Sequence, residues 1–129
     1  MFPVRFYSTT GGAEIIKDWL RSFGPEDKKI LGEDLMAVQM GFPLGRPLCA
    51  PLGNGLWEVR STLIDRREAR MIFFHDAASG QLIVVHAFVK KAQKIAKRDL
   101  DLALLVVAHQ QLRIAQHFEL ALGFESTDE

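Results

Sequence analysis

Three short apolar-rich segments follow one another closely in the second half of the chain. They cover Leu56–Thr62, residues 67–75 and residues 82–89, and connectors of only four and six residues separate them. Segments of this length that are rich in β-branched and aromatic residues predict strands. Connectors this short favour hairpins, in which neighbouring strands run antiparallel. The sequence therefore predicts a three-stranded antiparallel meander.

The segments around the meander predict helices and one further strand. Residues 2–7 alternate apolar and polar types, which predicts an edge or second-shell strand. Apolar residues recur at helical spacing over residues 13–23, and Pro25 opens a second amphipathic stretch, so a helical hairpin is expected. Residues 41–55, rich in Pro and Gly, are expected to be irregular, and a last helix is predicted over about residues 97–120.

This order of elements predicts one α+β domain over residues 1–129, with a helical hairpin packed on a twisted antiparallel sheet and a C-terminal helix. The single cysteine, Cys49, rules out an internal disulfide and favours a reducing cytoplasm. The N-terminal residues lack the apolar core of a signal peptide, and the longest apolar run, residues 102–108, is far shorter than the ~20 residues that span a bilayer. A cytoplasmic protein without a membrane segment is expected.

Alternation along the strands sorts their side chains onto two faces of the sheet. One face is nearly all apolar and is expected to pack against the helical hairpin; it carries Trp57, Val59, Ser61, Ala69, Met71, Phe73, Ile83, Val85, Ala87 and Val89. The other face is apolar at one end and polar at the other; it carries Leu56, Glu58, Arg60, Glu68, Arg70, Ile72, Phe74, Leu82, Val84, His86, Phe88 and Lys90.

The short hairpins also predict which polar residues become neighbours. A turn at Asp65 places Arg60 beside Arg70, and a turn at Ala78 places Arg70 beside His86. Like charges directly opposite each other destabilise a sheet. Unless Glu58 and Glu68 neutralise the arginines, this row predicts a site for an anion.

A run of cations follows the third strand of the meander. It contains no acid between residues 90 and 98 and comprises Lys90, Lys91, Lys94, Lys97 and Arg98. Such clusters favour phosphate binding, and the neighbouring Phe88 can stack on a base. The alternative is a solvated start of the last helix. The net charge of the whole chain is zero, so only this local distribution favours nucleic acid.

Several segments, taken in order, resemble the HigB-like, phage-derived branch of the RelE/ParE toxin superfamily. They are Leu44-Gly45-Arg46-Pro47-Leu48, residues 53–61, residues 70–74 and residues 86–94. The resemblance implies an α+β fold and a cytoplasmic toxin that cleaves mRNA, often on the ribosome, as a cofactor-free endoribonuclease. It also implies a helix-turn-helix antitoxin as partner. The chain departs from the family pattern at Ala92, Ile95 and Ala96, where the family has two threonines and a proline.

Cleavage of RNA without a metal needs a base, an acid and cations that stabilise the transition state. The expected catalytic residues are Arg60, Arg70, His86, Lys90 and Lys91. The arginines would hold the phosphate, a lysine would assist or act as base, and His86 would be the base or the acid. Glu58 is an alternative base, or the partner of Arg60. The expected RNA-binding residues are Phe88, Lys94, Lys97 and Arg98.

Two other functions remain open at this point. One is a ParE-like toxin that inhibits DNA gyrase without nuclease activity, and the other is a degenerate phage-derived protein that keeps only antitoxin binding. No metal site is expected, because His109 and His117 lack partners at ligand spacing. The apolar run from Leu102 to Val107 predicts a homodimer through the C-terminal helix.

Overall fold

A computed structural model describes residues 1–91 and 94–121, with side chains as far as Arg113. Its elements in chain order are β1 (Val4–Phe6), α1 (Ile15–Arg21), α2 (Pro25–Gly41), β2 (Cys49–Gly53), β3 (Leu56–Thr62), β4 (Glu68–Asp76), β5 (Gln81–Val89) and α3 (Lys97–Ala121). The predicted α+β class, the helical hairpin α1–α2 and the C-terminal helix are confirmed.

The five strands form one sheet in the order β1-β5-β4-β3-β2. Strands β3, β4 and β5 form the predicted antiparallel meander. Strand β1 lies at one edge and pairs parallel with β5, from Val4 opposite Leu82 to Phe6 opposite Val84. The sheet is therefore mixed and not wholly antiparallel, because the chain leaves β1 through the helical hairpin and the meander before it returns beside it.

The opposite edge of the sheet corrects one expectation. Residues 49–53, expected to be irregular, form β2, which pairs antiparallel with β3. The turn between them uses Asn54 at φ 53° and Gly55 at φ 79°, a left-handed conformation that Asn and Gly adopt readily. Pro51 lacks an N–H group, and an edge strand tolerates it because one side of the strand needs no ladder donor.

A β-bulge in β5 corrects the predicted register. Ile72 lies opposite His86 while Phe73 lies opposite Val84, so Val85 is an extra residue on β5. The hairpin also turns between Ala78 and Ser79, with Asp76 opposite Gln81, which shifts the pairing by one further residue. Arg70 therefore lies opposite Phe88 and not opposite His86. Because of the extra residue, the side chains before and after the bulge alternate in opposite order. Ala87 and Phe88 lie on the faces predicted for them, whereas residues 82–85 lie on the opposite ones.

Helices cover both faces of the sheet. The hairpin α1–α2 packs on one face, where the buried residues include Val59, Met71, Phe73, Leu82 and Val84. Helix α3 packs on the other, with Ala103 buried against Leu56, Ile72, Phe74, Ile83 and Val85. Burying one such side chain contributes about 1.5–3 kcal/mol, so each cluster of buried side chains fixes its own helices against the sheet. None of the helices in the described part of the chain is long and apolar enough to cross a membrane.

Candidate nucleic-acid interface

The predicted pairing of Arg60 with Arg70 is present. The two residues, named here the arginine pair, lie directly opposite each other on β3 and β4. Two carboxylates balance them. Arg70 Nε lies 3.0 Å from Glu58 Oε1, and Arg70 Nη1 lies 3.2 Å from Glu68 Oε1. Arg60 Nε lies 3.6 Å from Glu58 Oε2.

The two arginines differ in exposure. The Arg70 side chain is 4% exposed and the Arg60 side chain is 30% exposed. Arg70 Nε and Glu58 Oε1 are close, but they are not aligned as a hydrogen bond, so their attraction is ionic rather than directional. A buried charge requires such partners, because its desolvation is costly. Arg70 therefore holds β3 and β4 together, and Arg60 is the arginine more open to a ligand.

Glu68 connects the arginine pair to the lysines that follow β5. Its carboxylate accepts a hydrogen bond from the Thr62 hydroxyl at 2.8 Å, which holds the pKa of Glu68 below its ordinary value, and Arg70 adds to this effect. The backbone carbonyl of Glu68 accepts a hydrogen bond from the backbone N–H of Lys90 at 2.6 Å. An open groove of about 530 Å³ beside Arg60 and Glu68 therefore adjoins the chain that carries the lysines.

A cleft of about 470 Å³ lies at the C-terminal end of β5, between α1 and the start of α3. We call it the basic cleft; its lining residues are Trp19, Ala87, Phe88, Val89, Lys90, Lys91, Lys94, Ala96, Arg98 and Asp99. Five of the residues predicted to be catalytic or to bind RNA therefore share one cleft. Lys97 instead forms an exposed ion pair with Asp101 at 2.8 Å. Of the loop that departs from the family pattern, Ala92 and its neighbour Gln93 lie outside the described residues.

The cleft exists because β1 is short. Its pairing with β5 ends at Phe6 opposite Val84, so residues 85–89 have no strand on that side in the described part of the chain. Trp19 of α1 borders the space that a longer β1 would occupy. Trp19 also packs partly against the core of the hairpin.

His86 lies beside the basic cleft and not in the arginine row. Its Nε2 is 2.8 Å from Asp99 Oδ1, and its ring centroid is 5.4 Å from that of Phe88. Both side chains of the His86–Asp99 pair are partly buried. Sequence reasoning missed Asp99, because its contact depends on the path of α3 across the sheet and not on any local spacing.

The described part of the chain offers neither an activated thiol nor a cluster of metal ligands. Cys49 is buried, and burial raises the pKa of its thiol, which makes it a poor nucleophile. Within residues 1–91 and 94–113, whose side chains the structure describes, no group of three or more His, Cys, Asp or Glu side chains has the arrangement needed for a metal ion.

Comparison with known proteins gives one family. The model of the family described as Phage derived protein Gp49-like (DUF891) matches residues 18–106. The match begins in α1 and ends within α3, so it includes the arginine pair, the basic cleft and the His86–Asp99 pair. A search of the curated proteins returned no match.

Proposed function

The chain belongs to the phage-derived Gp49-like family, and from this membership we propose that it is the toxin of a type II toxin–antitoxin system. Within that class we propose a HigB-like member of the RelE/ParE superfamily, an mRNA interferase that needs no metal. The α+β architecture, with a helical hairpin on one face of a sheet, is consistent with that superfamily.

The observation that carries the proposal is the composition of the basic cleft. In a chain of zero net charge, Lys90, Lys91, Lys94 and Arg98 converge there around Phe88. Cations bind backbone phosphates, while an aromatic ring stacks on an unpaired base, and single-stranded RNA offers both groups together. Lys97 lies one residue before Arg98 but does not line the cleft, and its ammonium group pairs with Asp101 instead.

The proposed reaction is transfer of the phosphodiester to the neighbouring 2′-oxygen. The 2′-oxygen forms a bond to phosphorus while the bond from phosphorus to the 5′-oxygen breaks, which gives a 2′,3′-cyclic phosphate and a free 5′-hydroxyl. A base takes the 2′-OH proton and an acid supplies one to the 5′-oxygen. His86 is the proposed base, and Lys90 or Lys91 is the proposed acid.

The arginine pair would stabilise the negative charge that develops on the phosphate. Arg60 is the proposed contact, because it is the more exposed of the two and borders the open groove. Arg70 would act mainly by holding Glu58 and Glu68 and, through them, the positions of Arg60 and Lys90.

The proposed partners are mRNA, presented by the ribosome, and a helix-turn-helix antitoxin that silences the toxin in the cytoplasm. Both follow from the resemblance to HigB-like toxins.

Induced expression in a bacterium without the antitoxin tests the function. Sequencing of RNA 5′ ends is expected to show new cleavage sites in mRNA within minutes, before any DNA-damage response. The double variant K91A/K94A should abolish these ends, because both exposed lysines lie in the basic cleft. The matched control is K28A/K29A, which removes two exposed lysines from α2.

Two results would redirect the proposal. A DNA-damage response without new RNA ends would indicate the gyrase-inhibiting alternative. If neither a DNA-damage response nor new RNA ends appear, and the protein still binds an antitoxin, it has kept only its antitoxin-binding surface.

A further inference from the structure

His86 and Asp99 form a contact that ties β5 to the first turn of α3. The Nε2 atom of His86 lies at hydrogen-bond distance, 2.8 Å, from a carboxylate oxygen of Asp99. The other ring nitrogen, Nδ1, forms no hydrogen bond with a residue that the structure describes, and it is not one of the buried unsatisfied atoms. One nitrogen is therefore anchored and the other is available.

A carboxylate accepts hydrogen bonds but does not donate them when ionised. The nitrogen that faces it must carry the proton, so neutral His86 is held with hydrogen on Nε2 and a lone pair on Nδ1. The same carboxylate stabilises the ring once Nδ1 has taken a proton, because the imidazolium is then paired with a negative charge. This is the arrangement of a general base together with the group that orients it.

The surroundings of the pair connect it to the basic cleft. Asp99 lines the cleft directly, and the His86 ring lies next to Phe88, which also lines it. A nucleotide whose base stacked on Phe88 would bring its ribose near the His86 ring. Asp99 also lies in the first turn of α3, where the helix dipole favours a negative charge.

We propose that Asp99 is the positioning residue of the nuclease: it fixes the tautomer of His86 so that Nδ1 accepts the proton of the RNA 2′-OH. The inference rests on the proposed function. In the step itself, the 2′-OH proton moves to Nδ1 and the 2′-oxygen bonds to phosphorus. The electron pair of the broken bond stays on the 5′-oxygen, which takes a proton from the ammonium group of Lys90 or Lys91.

The test compares D99N with D101N in the full-length protein. Both variants remove one carboxylate from the first turns of α3, but Asp101 pairs only with exposed Lys97 among the described residues. Cleavage is measured on mRNA in a cell-free translation reaction, and affinity on a mixed-sequence single-stranded RNA oligonucleotide. D99N should slow cleavage by about 10²–10⁴-fold, because general acid–base catalysis contributes about that much and neutralising an orienting carboxylate reaches its upper end. RNA affinity should stay equal or rise, because a negative charge has left the cleft. D101N should cleave at the wild-type rate.

A spectroscopic measurement separates positioning from a purely structural tie. The ¹⁵N shifts of the His86 ring at mildly alkaline pH should show hydrogen on Nε2 in the wild type and in D101N, and a changed tautomer in D99N. A double-mutant cycle adds a further test: the variant H86Q/D99N should cleave RNA at the same rate as H86Q, because Asp99 acts only through His86.

Each outcome separates the two proposals. If the wild type does not cleave RNA, the nuclease function fails, while the ¹⁵N spectrum still tests the tautomer. If the wild type cleaves and D99N cleaves equally fast, the role of Asp99 is overturned. Parallel loss of RNA binding and cleavage in D99N, or hydrogen on Nδ1 in the wild type, also overturns it. The wild-type spectrum decides this last point even if D99N fails to fold.

Discussion

Asp27 is a buried carboxylate on α2 that holds the turn between β3 and β4. It accepts a hydrogen bond from the Ile64 N–H at 3.0 Å and one from Arg67. The Ile64 backbone hydrogen bond, followed by Arg67, holds the pKa of Asp27 below its ordinary value. The helical hairpin is thereby fastened to the meander by one ionised side chain.

The lowered pKa of Asp27 predicts a pH dependence of stability. Because the folded pKa lies below the unfolded pKa of about 3.9, the stabilisation is fully present above that unfolded value. It is lost as the pH falls through the folded pKa. D27N should lower the thermal midpoint at neutral pH by several degrees, and the difference from wild type should shrink in acid. E33Q, an exposed change on the same helix, should leave the thermal midpoint unchanged at neutral pH and in acid.

Arg70 is predicted to be more important for stability than its place in the arginine pair suggests. Replacing it with alanine leaves the buried Glu58 carboxylate without its closest partner. Breaking a buried ion pair in this way costs about 3–5 kcal/mol, so R70A should lower the free energy of unfolding by that amount in denaturant titrations. R60A should cost much less, because Arg60 is partly exposed. Equal losses in the two variants would contradict this difference.

At the scale of elements, α3 leaves an apolar stripe in water. Leu102, Leu105 and Leu112 are 43%, 66% and 57% exposed, and their spacing places them on one side of the helix. A second copy of α3 offers the same stripe, and two such stripes can cover each other about a two-fold axis. We therefore predict a homodimer at micromolar concentration by sedimentation. L105K should yield monomers, while M40K, at an exposed apolar site on α2, should leave the dimer intact.

Local signals predicted those elements whose partners are near in sequence. The short connector around Asp65 is enough to predict that Arg60 lies opposite Arg70. The cations of the basic cleft are clustered because residues 90–98 are consecutive. The strand β2 also had a local signal, the Asn54-Gly55 turn, but the surrounding Pro and Gly residues obscured it.

The remaining features depend on contacts between distant parts of the chain. Nothing at Val85 distinguishes a bulge from regular alternation, and the hairpin turns between Ala78 and Ser79 rather than at Ala78. Each difference shifts the register by one residue, so the partner of His86 is Ile72 and not Arg70. Asp99 meets His86 only because α3 packs across the sheet. Trp19 reaches the cleft only because β1 is three residues long. Burial and helix direction decide all three, and neither follows from spacing.

At the scale of the whole molecule, attraction for RNA has to come from one region. The chain has sixteen basic and sixteen acidic residues, so its net charge offers no general attraction, whereas four cations and one carboxylate line the basic cleft. RNA affinity should therefore fall steeply as salt rises. Each of K90A, K91A and K94A should reduce the slope of log K against log salt by about 0.7–1 unit. K28A should leave the slope unchanged, and an affinity independent of salt would count against RNA as the ligand.

The extra residue at Val85 gives β5 two halves in opposite phase. Before the bulge, the even-numbered residues Leu82 and Val84 face the hairpin, and this half pairs with β1. After the bulge, the odd-numbered residue Ala87 faces the hairpin. Substitutions can therefore adapt the cleft without disturbing the half of the strand that β1 and the core hold. Loss of that one codon would restore regular alternation: His86 would stay opposite Ile72 and Val84 opposite Phe73, and the pairing with β1 would stay in register. A lineage that lost the bulge would therefore keep His86 and Phe88 on the same face of the sheet and would lose only the local bend and extra twist of β5.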